Sequence, residues 1–420
     1  MQLSQGQWRV LDVLERVERG EFTVSEGAQA LGLSRRQAQR LRKRVLIFGA
    51  KGVIHGNTGR APRHKTAGFV RDRVLELWNE KYSGFNYQHF TEKLNEVEGV
   101  RLSRQTVRRL LLSAGIGSPR RRRPGTHRRR RDRRPQAGQM ILWDGSRHDW
   151  LEGRGPWLCL MGAIDDATGE VLPGAHFVEH ECSVGYLRVL RDIVAEKGVP
   201  LSAYMDRHGT LKRNDEHWTR DEELAGQQEP TQVGRALDDL GVEVIFALSP
   251  QAKGRVERLW GTLQDRLVSE LRLLGATDAH SANLFLPQYR VQHNARFAIS
   301  PQDSNPAWRP CPGGFTPDEI CSFQHIRVVQ NNNTVRIGGQ IIDIPKHRCR
   351  ATFAKAIVVV RHLLQGGYRV YYKGELIAEA KGPPASDAPD TVRTVAAWKR
   401  GQQARKRKRE IRGVTESLAY

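Results

Sequence analysis

Three acidic residues stand where their surroundings could turn carboxylates into a reaction centre. Asp144 closes the apolar run Met140-Ile141-Leu142-Trp143, Asp206 closes Leu201 to Met205, and Glu257 lies in Gln251-Ala-Lys-Gly-Arg-Val-Glu257-Arg-Leu-Trp260. The two short apolar runs, bounded by turn residues, read as buried strands. Arg255 to Leu267 instead carries Val256, Leu259, Trp260, Leu263 and Leu267 at the three-and-four spacing of one helical face, with Glu257 at its border. Two carboxylates at strand ends and a third on a helix could converge on one divalent metal site. Hard oxygen donors of this kind suit Mg2+ or Mn2+, which keep several waters and bind substrate phosphates. The chemistry implied is phosphoryl transfer. Singly, each acid reads as readily as a solvated loop residue, so the reading depends on what positions the three.

From Met140 the chain has an α/β texture. Strands are expected at 140–144, 157–164, 170–178, 201–206 and 242–247, and helices at 183–196, 231–240 and 252–274. Asp165-Asp166-Ala-Thr168-Gly169 reads as the turn between the second and third strands. Three antiparallel strands followed by strands alternating with helices, with Asp144 on the first, describe a ribonuclease-H-like core.

Charge separates the ends from the middle. The 420 residues carry a net +22, of which residues 1–140 hold +19 and 391–420 hold +7, leaving 141–390 at −4. A near-neutral core between basic arms is expected of an enzyme that grips a polyanion at its ends and works on it in the centre. With 39% hydrophobic residues the chain is neither disordered nor membrane-embedded in composition. It has no apolar stretch of the ~20 residues a bilayer span needs, and no signal-peptide pattern at Met1-Gln-Leu-Ser, so the expected location is the bacterial cytoplasm and its nucleoid. Five cysteines, Cys159, Cys182, Cys311, Cys321 and Cys349, widely spaced and odd in number, read as buried residues or free thiols.

Ahead of the core, residues 4–19 suggest a helix. Thr23-Val-Ser-Glu26 is a capping pattern, and Gly32 and Ser34 separate two short helices. Ala38 and Leu41 point inward while Arg35, Arg36 and Arg40 face out, a helix-turn-helix pattern whose second helix would enter a major groove. A second helical module follows, with helices expected over 70–81, 87–97 and after Ser103, where Arg104, Arg108 and Arg109 take the polar side. Between Arg120 and Arg134 stand ten arginines, Arg120, Arg121, Arg128 and Arg129 among them, broken by Pro124 and Gly125. Such a run repels itself when free and orders on nucleic acid by releasing counterions. The organisation expected is therefore 1–54 helix-turn-helix, 55–66 linker, 67–117 second helix-turn-helix-like module, 118–138 arginine-rich linker, 139–300 catalytic core, 320–380 small β domain and 381–420 basic tail.

Taken together, Trp143-Asp144-Gly145, Ile164-Asp165-Asp166-Ala-Thr168-Gly169, Tyr204-Met-Asp206-Arg-His-Gly209-Thr210 and Ser249-Pro250-Gln-Ala252-Lys253-Gly254-Arg-Val-Glu257-Arg-Leu-Trp resemble the DDE transposases with an integrase-like core, most closely the insertion-sequence group known as ISNCY. Tyr289-Arg-Val-Gln-His293-Asn294 adds a weaker likeness. The resemblance spans roughly residues 1–350 in order of parts. It implies that Asp144, Asp206 and Glu257 are the catalytic and metal-binding residues, with Asp165 and Asp166 ranked below them as turn residues. It also implies two Mg2+ (or Mn2+) ions ~3.5–4 Å apart, bridged by the two aspartates, with Glu257 on one of them. Double-stranded DNA, as element ends and target, is the implied partner, and joining two ends implies at least a homodimer. Two departures stand out: the 51-residue interval between Asp206 and Glu257, lengthened by the polar segment 211–230, and Gln264 where relatives often carry Lys or Arg. The DNA-contacting role near the glutamate is thus open between Lys253, Arg258 and Arg266. Residues 323–380, with short β-rich runs and turns at Asn331 to Asn333, Gly338-Gly339 and Gly366-Gly367, resemble the small barrel after the core of Mu-type transposases. The rival reading is a non-catalytic DNA-binding regulator on the same fold. A nuclease acting on RNA or on particular nucleic-acid structures would share the core but leave the helix-turn-helix modules unexplained.

Overall fold

The computed structural model describes residues 3–59, 65–118, 131–206, 209–211, 218, 220–226, 228–246, 254–348 and 350–386. The chain divides into two compact units, Met1–Glu76 and Leu77–Tyr420.

In the first unit, α1 (Gln5–Glu18), α2 (Val24–Leu31) and α3 (Arg35–Phe48) each begin at a capping box, formed by Ser4 with Gln7, Thr23 with Glu26 and Ser34 with Gln37. Each box satisfies two amide donors that a helix start otherwise leaves open. Leu11, Val13, Leu14, Val17, Ala28 and Ala38 are buried between the helices. Gly32 ends α2 at φ +63°, a left-handed conformation that costs glycine little, and three residues later α3 has begun. Two short capped helices joined by a tight turn thus stand where the sequence suggested them. Arg35, Arg36 and Arg40 are exposed on α3. The helix expected over 70–81 is α4 (Gly68–Leu77), which runs into a wide π-helical turn at Trp78–Tyr82. The division between units therefore falls inside the segment read as the second module.

The second unit opens with that π turn, α5 (Tyr87–Glu96, capped by Asn86) and α6 (Arg104–Ser113, capped by Ser103). Trp78, Tyr82, Phe85 and Phe90 pack edge-on or tilted with ring centroids 5.1–5.5 Å apart. The central sheet comprises β1 (Met140–His148), β2 (Leu158–Asp165), β3 (His176–Val178), β4 (Ser202–Met205) and β5 (Glu243–Phe246), in the order β3-β2-β1-β4-β5. The β1–β2 and β2–β3 pairs are antiparallel, and β1–β4 and β4–β5 are parallel. The strand expected over 170–178 is cut short. Val171 makes one isolated bridge to Ile164, after which Pro173 has no amide to pair and Gly174 turns at φ +79°, with room for no Cβ against Asp192.

Strand alternation gives the sheet two apolar faces. Ile141, Trp143, Ala203 and Met205 pack with α7 (Ser183–Glu196) and α9 (Gln232–Asp239), which follows the short α8 (Arg220–Ala225). Met140, Leu142, Leu158 and Leu160 pack with α10 (Gly254–Leu274) and α11 (Ala279–Phe297). From Leu77 onward the second helical module belongs to this body. Arg266 of α10 forms a two-pronged pair with Glu92 of α5, Arg296 of α11 bridges Glu92 and Glu96, and Glu270 takes both His89 and Lys93.

Beyond α12 (Pro317–Ile320), strands β6 (Phe323–Val328), β9 (Ile357–His362), β10 (Tyr368–Tyr372) and β11 (Glu375–Ala380) form an antiparallel sheet in the order β11-β10-β9-β6, while β7 (Thr334–Ile337) and β8 (Gln340–Asp343) form a separate hairpin. Both close over one core containing Val335, Ile342, Phe353, Val360 and Val370. The expected barrel is thus, among the described residues, an open sheet covered by a hairpin. No ladder joins the four-residue strands of the hairpin to the sheet edge. The tail from 387 onward lies outside the described residues. No helix among them is long and apolar enough to cross a membrane.

Candidate active site

Pairing in the central sheet decides where two of the three acids lie. β1 and β4 run parallel with Ile141 opposite Ala203 and Leu142 opposite Tyr204. Asp144 lies two residues beyond Leu142 on β1, and Asp206 directly follows β4, two residues beyond Tyr204. Alternation carries Asp144 with Leu142 onto the α10 face, where Trp260 bonds to it. Asp144 and Asp206 are each only partly buried.

The third acid comes from α10, whose apolar stripe is the one its spacing predicts: Val256, Leu259, Trp260, Leu263 and Leu267 are all buried. On a neighbouring stripe that also carries Glu257, Trp260 and Gln264 meet the middle of β1. The Trp260 indole N–H donates to Asp144 Oδ2 at 3.2 Å, and Gln264 Nε2 donates to Ser146 Oγ at 3.2 Å. Four helical residues rise about 6 Å, against about 6.6 Å for two strand residues, so α10 and β1 advance side by side here. Glu257 lies one turn back from Trp260 on that stripe, about 4.5 Å along the axis, and is exposed. Gly162, opposite Asp144 on β2, leaves room for the Trp260 ring, whose edge would be 3.4 Å from a Cβ there.

A fourth carboxylate approaches from the other face of the sheet. A Cβ at Gly145 would stand 3.1 Å from both Glu181 Oε2 and Cys159 Sγ. The Tyr186 hydroxyl donates to Glu181 Oε1, and its ring packs edge-on against Trp143 at 5.1 Å. Burial raises the Tyr186 phenol well above its ordinary range, and the charges of Glu181, Asp144 and Asp206 add to the effect, so it remains a donor. Burial, then Glu181 and Asp144, likewise push the Cys159 thiol up to about 12. The negative charge of Asp144, Asp206 and Glu181 is thus felt at common neighbours. Hard carboxylate oxygens in that setting fit a divalent cation such as Mg2+ or Mn2+. Among the described residues no three His, Cys, Asp or Glu side chains are already gathered around one ion position.

The two turn aspartates are committed elsewhere. Asp165 accepts from the amides of Gly138, Ala167 and Thr168 and from the Thr168 hydroxyl. Asp166, fully buried, accepts from Arg131, Arg255 and the Arg134 amide. Of the cations left open near Glu257, Arg266 is buried against Glu92, Arg258 is exposed with its Nε on Gly254 O, and Lys253 lies outside the described residues. Arg104 and Arg108 are exposed on α6, while Arg120, Arg121, Arg128 and Arg129 also lie outside the described residues. Sequence reading missed the Trp260 and Gln264 contacts, Glu181 and Tyr186. The tryptophan three places after Glu257 and the glycine directly after Asp144 were the available signals.

No family model matches the chain. The Sinorhizobium fredii protein y4bF, named as a transposase, is 36% identical over 318 residues, covering 76% of this chain and 67% of its own length. The transposase for insertion sequence IS1202 of Streptococcus pneumoniae is 32% identical over 321 residues, covering 68% of this chain and 67% of that protein. A solved simian T-cell lymphotropic virus intasome, in complex with PP2A regulatory subunit B56 gamma, aligns with 75% of this chain and 100% of its own at 13% identity. Its TM-score of 0.29 is too low to bear on the fold. Sharing about a third of its residues with both transposases over two thirds or more of each chain, the protein belongs to the transposases of insertion sequences.

Proposed function

We propose that the protein binds the ends of a mobile element and catalyses metal-dependent cleavage and strand transfer of DNA, as a DDE-type polynucleotidyl transferase with Asp144, Asp206 and Glu257 as its catalytic acids. The observation that supports this reading is the β1–β4 pairing, which, extended two residues past Leu142 and Tyr204, would bring Asp144 and Asp206 side by side near the helix bearing Glu257. Asp144, Asp206 and Glu257 would hold the Mg2+ or Mn2+ ions. When bound, such ions supply a water activated near neutral pH and stabilise charge on the attacking and leaving oxygens. Trp260 and Gln264 bond to Asp144 and Ser146 within β1, so Asp144 presents its carboxylate in one orientation. The partly open site admits a phosphodiester and, after cleavage, a 3′-hydroxyl in the same place.

The DNA-contacting set is Arg35, Arg36 and Arg40 on α3, Arg104 and Arg108 on α6, the linker arginines Arg120, Arg121, Arg128 and Arg129, and Lys253 and Arg258, which flank Glu257 in the sequence. The β-rich region 320–380 is read as a contact for DNA or for a neighbouring subunit. Because two ends must be joined, the working form is at least a homodimer on DNA.

The test is cleavage of end DNA by Asp144→Asn, Asp206→Asn and Glu257→Gln, with binding measured separately by gel shift. Each amide variant should bind ends nearly as tightly as the parent and cut none. Cleavage by Glu257→Gln would remove that residue from the site.

A further inference from the structure

Asp166 has no part in the chemistry above, yet it is among the most committed carboxylates in the unit. It is fully buried in the turn after β2, with its amide bonded to Met140 O at 3.0 Å. Arg131 reaches it with both guanidinium nitrogens, at 2.6 Å to Oδ1 and 3.1 Å to Oδ2, and the Arg134 amide donates to Oδ2 at 2.8 Å. Arg255, in the first turn of α10, takes Oδ1 and also donates to the Arg131 carbonyl, each at 2.5 Å. Arg133 closes the arrangement on the carbonyls of Asp166 and Ala167.

The turn itself does not need this carboxylate, since Asp165 already accepts three hydrogen bonds within it and a fourth from Gly138. What Asp166 adds is a junction between the end of the arginine-rich segment and the start of α10, beside the direct bond from Arg255 to the Arg131 carbonyl. Arg255 lies two residues before Glu257, which on a helix is about 3 Å along the axis and some 200° around it. Pinning Arg255 on one side of the first turn therefore sets the direction in which Glu257 leaves the other side.

We propose that Asp166 is a positioning residue of the transposase reaction, holding the first turn of α10 through Arg255 so that Glu257 faces Asp144 and Asp206. The proposal rests on Glu257 being the third acid. It also gives the linker's last residues a role distinct from phosphate binding, because Arg131 and Arg133 are engaged with the core.

The test compares full-length protein with Asp166→Asn, Arg255→Ala, Arg255→Lys and Arg131→Ala, reading the Mn2+ concentration for half-maximal nicking, end-DNA affinity and thermal unfolding. Asp166→Asn and Arg255→Ala should each raise the Mn2+ requirement on the order of 10-fold, the lower end of the effect of replacing residues that orient metal ligands. End affinity should stay unchanged, and Arg255→Lys should restore part of the loss. Arg131→Ala, which leaves the Arg255 contact in place, should shift the Mn2+ requirement less. An unchanged Mn2+ requirement in Asp166→Asn overturns the proposal. So does loss of the unfolding transition in both Asp166→Asn and Arg255→Ala, which would make the cluster a folding element. Nicking retained in Glu257→Gln would instead bring down the site assignment itself, whatever the Asp166 variants do.

Discussion

Replacing Glu92 by glutamine should loosen α5 from the helix that carries Glu257. Arg266 of α10 is 7% exposed and lies at 2.6 and 3.2 Å from the two Glu92 oxygens, with the Phe297 ring 4.9 Å from its guanidinium carbon. The amide keeps one acceptor but no charge, leaving a buried guanidinium without its counterion. Breaking a buried pair by removing one partner costs about 3–5 kcal/mol. Glu92 retains 14% of its side-chain exposure, and Arg296 can still turn to Glu96, so the lower end, about 3 kcal/mol, is expected here. A chain of two compact units has no single unfolding free energy. The suitable assay is therefore amide hydrogen exchange within α5, where about 3 kcal/mol is roughly a hundredfold rise in the opening equilibrium. pH sets a second check. Burial raises the Glu92 carboxyl, but hydrogen bonds from Arg266 and Gln88 and the charges of Arg266 and Arg296 outweigh it, leaving the group below its ordinary 4.5. Its contribution is therefore complete above pH 4.5 and lost as pH falls through the depressed folded value, a dependence that Glu92→Gln should lack. Protection in α5 unchanged to within about 0.5 kcal/mol would refute the reasoning.

Glu319 gives the C-terminal sheet its own acid sensitivity. Burial opposes its ionisation, but bonds from Thr316, Tyr371 and Arg369 bring it down to about 2, so stability of this region should be full above pH 4.5 and fall progressively toward pH 2; tryptophan-independent far-ultraviolet dichroism of Glu319→Gln should show a flatter profile. Gly145→Ala places a Cβ 3.1 Å from Cys159 Sγ and Glu181 Oε2, and should lower nicking while costing about 1 kcal/mol of stability; full nicking by this variant would show that the packing behind Asp144 is slack. End binding should weaken steeply with salt in a gel-shift series, and a nearly flat dependence would remove the basic arms as phosphate contacts.

Local signals carried much of the architecture. Thr23, Ser34 and Ser103 cap their helices as their spacing implies, and the α10 stripe lies where its periodicity puts it. Asp206 directly follows β4, as its apolar run implies, but β1 continues past Asp144 to His148, because Gly145 to His148 pair with Met161 to Leu158 on β2. What escaped was set by distant partners or by backbone geometry. Pro173 and Gly174 interrupt an otherwise strand-like run because α7 comes close at Gly174. Strand β11, Glu375–Ala380, pairs with β10 despite a weak alternation, because its neighbour supplies the pairing. The pairs joining Glu92 to Arg266 and Glu270 to His89 span more than 170 positions, and nothing local marks them. The sequence therefore suggests the three acids of the proposed site, but not the contacts of Trp260, Gln264, Glu181 and Asp166.

The most direct test incubates the purified protein with the DNA flanking its own gene in Mg2+ or Mn2+, beside Asp206→Asn, and maps nicks by strand-resolved electrophoresis. The account predicts nicks at matching positions on both flanks, dependent on the metal and absent from the variant. Folded protein that binds both flanks yet leaves every strand intact, or a variant that nicks as the parent does, would contradict it.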